Sequence, residues 1–162
     1  MLPRPRGNGG AEPERRGRPG RKRGRRPALS LWFPSQTEFL GLVRELARKM
    51  AQSAGFDAAQ SDRLALAVDE AATNVIEHAY HGAAGHQVEV RFEDQGPEFR
   101  VELLDSGEMV DPKQVPRFEL QKSVDERRTG GMGVHLMERI MDSVTFRRTA
   151  RRNVCCLVKK KV

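Results

Sequence analysis

The chain has little that would staple, span or export it. Among its 162 residues there are two cysteines, and they are adjacent, Cys155-Cys156. Neighbouring cysteines cannot form a disulfide framework and do not have metal-ligand spacing, so they are expected to be packing residues of a reducing, cytoplasmic protein. Apolar runs are short. None approaches the roughly 20 residues needed to cross a bilayer, so no membrane partner is expected. The N-terminus has no apolar core of the kind a secretory signal needs. The G-x-x-x-x-G-K-[ST] phosphate loop is absent. The glycines that are present are not flanked by the strand–turn–helix unit of a dinucleotide fingerprint.

Charge is plentiful but unevenly placed. Residues 1–28 hold ten Lys/Arg and two Glu, whereas the remainder holds 19 basic and 20 acidic residues. The net +7 therefore belongs to the first 28 residues, and any nucleic-acid binding has to come through them. That segment is Arg, Gly and Pro with almost no large apolar side chain. It is expected to be disordered, because it cannot bury enough surface to offset the entropy of ordering. It reads as a solvated extension or as a weak electrostatic contact for an acidic partner, RNA or DNA. Its Pro and Gly content argues against the amphipathic helix of a transit peptide. Residues 29–162 are long enough to form one domain with a core.

Within that domain the stretch from Leu64 to Gly82 stands out. Leu64, Val68, Ala71, Val75 and Ala79 fall on one side of a helix. Glu70, Asn74 and His78 follow an i, i+4, i+8 ladder on the neighbouring stripe, where side chains four apart can act together. The rest reads in order. A first strand covers Leu29–Phe33 and ends at Pro34. A helix from about Gln36 to Ser53 follows, with Ser35 and Glu38 as a capping box. A short helical piece near Asp57–Gln60 leads into the long helix, for which Ser61 is a cap. Residues 81–86 read as a loop. Alternating apolar residues at Val88–Phe92 and Phe99–Leu103, around the turn Asp94–Pro97, predict an antiparallel hairpin. A polar stretch from Glu108 to Thr129 reads as a loop of lid length. The glycines at 130–133 open a helix through Met141, and two strands, around Val144–Phe146 and Val154–Val158, close the chain. Lys159–Lys161 read as solvated charge.

Three clusters carry chemistry. Glu70 and Asn74 sit one turn apart. An Asn oxygen is a neutral hard ligand suited to Mg²⁺, and a Glu beside it can take a proton from an attacking hydroxyl. Asp105-Ser-Gly107 ends a strand, where a carboxylate can accept from the exocyclic amine of adenine and the glycine lets the base approach. Gly130-Gly-Met-Gly133 leaves N–H groups bare at a positive helix terminus, a phosphate cradle. Each alone is common, as a structural polar pair, a turn or a glycine-rich helix start. Their serial order is what an ATP site needs.

The segments LALAVDEAATNVIEHAYHG, LLDSGEMVDP and TGGMGVHLMERIMD resemble the N box and the two glycine boxes of the GHKL (Bergerat-fold) ATPases. Within these, the chain is similar to the stand-alone anti-sigma factor serine/threonine kinases of bacteria. The resemblance covers roughly residues 30–160 and implies an α+β, two-layer sandwich. Its sheet would be mixed and mainly antiparallel, with helices on one face. It further implies ATP and Mg²⁺ as cofactors and Glu70 as the general base. Asn74 would be the metal ligand, with His78 near the phosphates. Asp105 and Gly107 would form the adenine pocket, with Thr129, Gly130, Gly131 and Gly133 around the phosphates. Arg127 and Arg128 are the lid residues suited to contact phosphate. The implied partners are a sigma factor and an anti-anti-sigma substrate, and the implied assembly is a homodimer. Two other readings compete: a non-catalytic nucleotide-binding switch, and a nucleic-acid-associated protein acting through residues 1–28. The presence of Glu70 argues against the first, because a pure binder needs no base.

Overall fold

The computed structural model describes residues 29–109 and 132–161. The basic segment 1–28, most of the expected lid with Arg127 and Arg128, and Thr129, Gly130 and Gly131 lie outside the described residues.

Five strands form one sheet: β1 (Leu29–Pro34), β2 (Gln87–Asp94), β3 (Glu98–Asp105), β4 (Ser143–Arg148) and β5 (Asn153–Lys160), in the order β1-β2-β3-β5-β4. Every pairing among the described residues is antiparallel, so the parallel component of the expected mixed sheet does not occur there. The predicted hairpin is present, with Val90 opposite Leu103 and Phe92 opposite Val101. The Asp94 carboxylate holds its turn by accepting from the Gly96 N–H at 3.0 Å. Side chains alternate across a strand, so these apolar residues share one face with Cys155 and Leu157 of β5. The two cysteines are free and buried.

Among the described residues three helices lie on that face: α1 (Leu40–Ser53), entered through a 3₁₀ turn at Thr37–Phe39, α2 (Ala58–Asn74) and α3 (Met132–Ile140). Helix α2 packs against both α1 and α3. Its flanks are mostly alanine (Ala65, Ala67, Ala71, Ala72), which lets the neighbours approach closely, and the predicted stripe from Leu64 to Ala79 is buried. Phe92 and Phe99 of the sheet are fully covered beneath this layer.

Three local readings are corrected. Asp57, not Ser61, caps α2: its carboxylate accepts from the Gln60 N–H at 2.7 Å, and the Gln60 side chain accepts in return from the Asp57 N–H at 3.1 Å. Such a box is worth about 1 kcal/mol, and it beats a serine that the packed interior already claims; Ser61 is buried and donates to the Phe56 carbonyl. Ser35 caps nothing. Its hydroxyl donates to the Ala83 carbonyl at 2.7 Å and accepts from the His86 N–H at 3.3 Å, stitching the 81–86 loop to the end of β1. Lys159 and Lys161 are not simply solvated. Lys161 pairs with Asp94, and the Lys159 ammonium donates to the Ile140 carbonyl at 2.8 Å, a cation at the negative end of α3.

Candidate functional site

The site grows from the C-terminal half of α2. Glu70 and Asn74 stand one turn apart, both half-buried, on the side that faces α3. Gly133, in the first turn of α3, meets them. A Cβ built there would lie 2.7 Å from Glu70 Oε2 and 3.6 Å from Asn74 Oδ1. The absence of a side chain lets that backbone sit against both polar groups as they stand; a methyl there would push the Glu70 carboxylate aside. Burial raises the Glu70 carboxyl above its ordinary value, and the nearby charges of Asp69 and Glu77 add to the rise while Arg44 opposes it. A carboxylate moved toward neutrality is a better proton acceptor from a hydroxyl.

After Asn74 the helix widens into a π turn, Val75–Ala79, seen in the i→i+5 bond from the Tyr80 N–H to the Val75 carbonyl. The wider turn breaks the strict ladder. His78 is exposed, and no described hydrogen bond or ion pair joins it to Glu70 or Asn74. The same turn aims the Ala79 carbonyl at the end of β3, where it accepts from the Glu108 N–H at 2.9 Å. Gly107 passes so close that a Cβ on it would stand 2.3 Å from that carbonyl oxygen. The Tyr80 hydroxyl accepts from the Ser106 N–H at 2.9 Å and donates to the Gln87 carbonyl at 3.3 Å. The Tyr80 ring stacks on His86 with centroids 4.4 Å apart. These bonds tie the Asp105–Gly107 segment to the turn that follows Asn74, on the helix-covered side of the sheet.

Asp105 is 5% exposed. Its Oδ1 accepts from the Gly107 N–H and from Asn153 Nδ2, both at 2.8 Å, and no described hydrogen bond engages Oδ2. Burial raises its carboxyl above the ordinary value; the Asn153 and Gly107 bonds and the charge of Arg148 pull the other way. A shielded carboxylate with one oxygen in hand is suited to receive an amine N–H. Gly133 thus meets Glu70 and Asn74 directly, Asp105 and Gly107 are tied to the turn that follows Asn74, and His78 is exposed.

Two residues of this arrangement escaped the sequence reading. Neither Asn153 nor Tyr80 lies in one of the three clusters read as carrying chemistry. The signal for Asn153 is its register opposite Asp105, which the sequence does not print.

The profile of the histidine kinase-like ATPase domain matches residues 33–159. The serine-protein kinase RsbW of Bacillus subtilis (strain 168) is 31% identical over 120 residues, covering 72% of this chain and 75% of the relative. The proteins of the same name from Listeria innocua serovar 6a and Oceanobacillus iheyensis are each 28% identical over 120 residues, covering 72% of this chain and 76% of the relative. With a matched span that runs from β1 to β5 and takes in every glycine and carboxylate just described, the chain belongs to the histidine kinase-like ATPase family and groups there with the serine-protein kinases.

Proposed function

We propose that this protein is an ATP-dependent protein-serine kinase that acts as an anti-sigma factor. It holds a sigma factor, and it phosphorylates an anti-anti-sigma antagonist that would otherwise release it. The observation that carries the reading is the contact of the Gly133 backbone with Glu70 and Asn74, which gathers a base, a hard oxygen ligand and the start of a helix around one point. Asp105 Oδ2 takes the N–H of the adenine amine, and Gly107 leaves room for the ring. The α3 N-terminus, with its bare glycine, faces the phosphates.

The donor set fits Mg²⁺ in the way that ion is ordinarily held, by one or two protein oxygens plus phosphate and water. Asn74 Oδ1 is that oxygen. Among the described residues there is no cluster of three acidic, His or Cys side chains that would favour another metal. The ion, when bound, neutralises charge on the phosphates. Glu70 takes the proton from the substrate serine hydroxyl as that oxygen bonds to the γ-phosphorus and the bond to the β,γ-bridging oxygen breaks, releasing ADP. The remainder of catalysis is alignment. The assembly is read as a homodimer in the cytoplasm, where sigma factors work. No described helix is long and apolar enough to cross a membrane.

The test is direct. The protein is incubated with Mg-ATP and a candidate anti-anti-sigma protein from the same genome, and the antagonist is analysed for phosphoserine. Stoichiometric phosphoserine that disappears with Glu70→Gln is the expected result. Tight ATP binding and sigma-factor capture without phosphoserine would instead mark a nucleotide-held switch.

A further inference from the structure

Asn153 sits at the first residue of β5, in register with Asp105 on β3 and with Arg148 on β4. Its Nδ2 donates twice, to Asp105 Oδ1 at 2.8 Å and to the Gly107 carbonyl at 3.0 Å. Both neighbours are acceptors, so the amide can face them only with its nitrogen. The carbonyl oxygen is then left on the other side, where it is buried and has no hydrogen-bond partner. An unsatisfied buried acceptor costs about 1–3 kcal/mol. A side chain chosen only to fill this position would avoid that cost, so its donor half must return something elsewhere.

We propose that Asn153 is a positioning residue for nucleotide recognition. It locks the Asp105 carboxylate in one rotamer with Oδ1 occupied, so that Oδ2 alone is offered to the base, and it fixes the Gly107 carbonyl beside it. The inference rests on the reading of Asp105 as the adenine acceptor. The bond also favours the charged form of a carboxylate that burial otherwise pushes toward protonation. The other groups around Asp105 are few. Arg148 on β4 favours its charge. Cys155 on β5, its thiol pushed up to about 12, stays neutral. Tyr80, whose hydroxyl burial pushes above its ordinary value, stays neutral as well. Glu108, beyond Gly107, is engaged by His81 at 2.9 Å.

Opposite pH slopes from two substitutions test this. Calorimetric titration of the full chain with Mg-ADP between pH 5 and 9 is compared for wild type, Asn153→Ala, Asn153→Asp and Asp105→Asn. In Asn153→Ala the donor is gone, and binding at pH 7 is expected to weaken on the order of tenfold. That deficit should grow as pH falls, because Asp105 protonates sooner. Asn153→Asp keeps the shape. At low pH its carboxyl proton donates to Asp105 and preserves binding, whereas at high pH two facing carboxylates repel and binding falls. Loss that is equal at every pH in both variants, or no loss, overturns the role of Asn153 while a weakened Asp105→Asn leaves the adenine reading standing. Undiminished binding by Asp105→Asn overturns that reading itself. The Asp105 carboxyl titration, followed by NMR in the nucleotide-free protein, needs no ligand; it should move to higher pH in Asn153→Ala, and an unmoved titration counts against the proposal.

Discussion

Glu89 and Asp105 are buried carboxylates on neighbouring strands, 3% and 5% exposed, and their surroundings treat them in opposite ways. Glu89 lies on the sheet face turned away from the helices. Arg91 donates to its Oε1 at 2.7 Å, and Arg152 grips its Oε2. Burial pushes this carboxyl up, yet the two guanidinium groups outweigh it and hold the group below its ordinary value. Asp105 lies on the helix-covered face and is given only neutral donors, all on one oxygen, and it ends above its ordinary value. Glu70 follows Asp105 in this respect. A buried carboxylate whose charge is fully matched is masonry. One left partly unmatched is held ready for something that arrives.

Four substitutions or titrations sharpen or break that division. The largest effect is expected from Glu70→Gln, which should lower phosphoryl transfer by about 10²–10⁴-fold while nucleotide affinity and melting temperature hold; single-turnover kinetics beside calorimetry separates these. Next comes Glu89→Ala. Arg152 loses its partner and Arg91 keeps only Glu102, but both guanidinium groups reach solvent, so the cost in urea denaturation should be about 1–2 kcal/mol, with nucleotide affinity unchanged. If affinity fell with stability, the two faces would not be independent. Gly107→Ala should destabilise by about 1–3 kcal/mol and weaken nucleotide binding as well, because its new methyl would overlap the Ala79 carbonyl. Gentlest is the acid limb. The folded Glu89 carboxyl lies below its ordinary 4.5, so its contribution is present above that value and is lost as pH falls through the folded one. Asp105 has the reverse sign: raised in the folded state, it adds stability only while protonated, and that contribution is lost as pH rises through the folded value. Urea denaturation between pH 3 and 7 should therefore show a flatter acid limb in Glu89→Gln, by about 1 kcal/mol, and a limb of unchanged steepness would remove Glu89 from the account.

Much of this was legible in the residues. Period-3.6 spacing around Leu64–Ala79 gave the central helix, and period-2 alternation gave β2 and β3, because one buried face imposes each pattern. Glu70, Asn74, Asp105 and Gly133 could be named as candidates because they belong to short local motifs. Asn153 and Glu89 could not. One owes its role to a partner 48 residues away and the other to a partner 63 residues away, and linear order does not print strand register. The π turn was missed because the apolar stripe survives it; Val75 and Ala79 stay buried and His78 is exposed. Ser35 and Ser61 misled because capping preference is a weak local pull that tertiary hydrogen bonds override.

That widened turn also fixes the phase of everything downstream of Asn74. A switch of these five residues to ordinary α geometry would carry the following residues round the axis by roughly most of one residue's 100° step, because the π turn spreads its rotation over one more residue. The Ala79 carbonyl would then turn away from the Glu108 N–H, and the Tyr80 hydroxyl from the Ser106 N–H. Tightening the turn at constant length would thus cut both moorings of the Asp105–Gly107 segment at once, whereas removing one of its residues would leave their phase nearly intact.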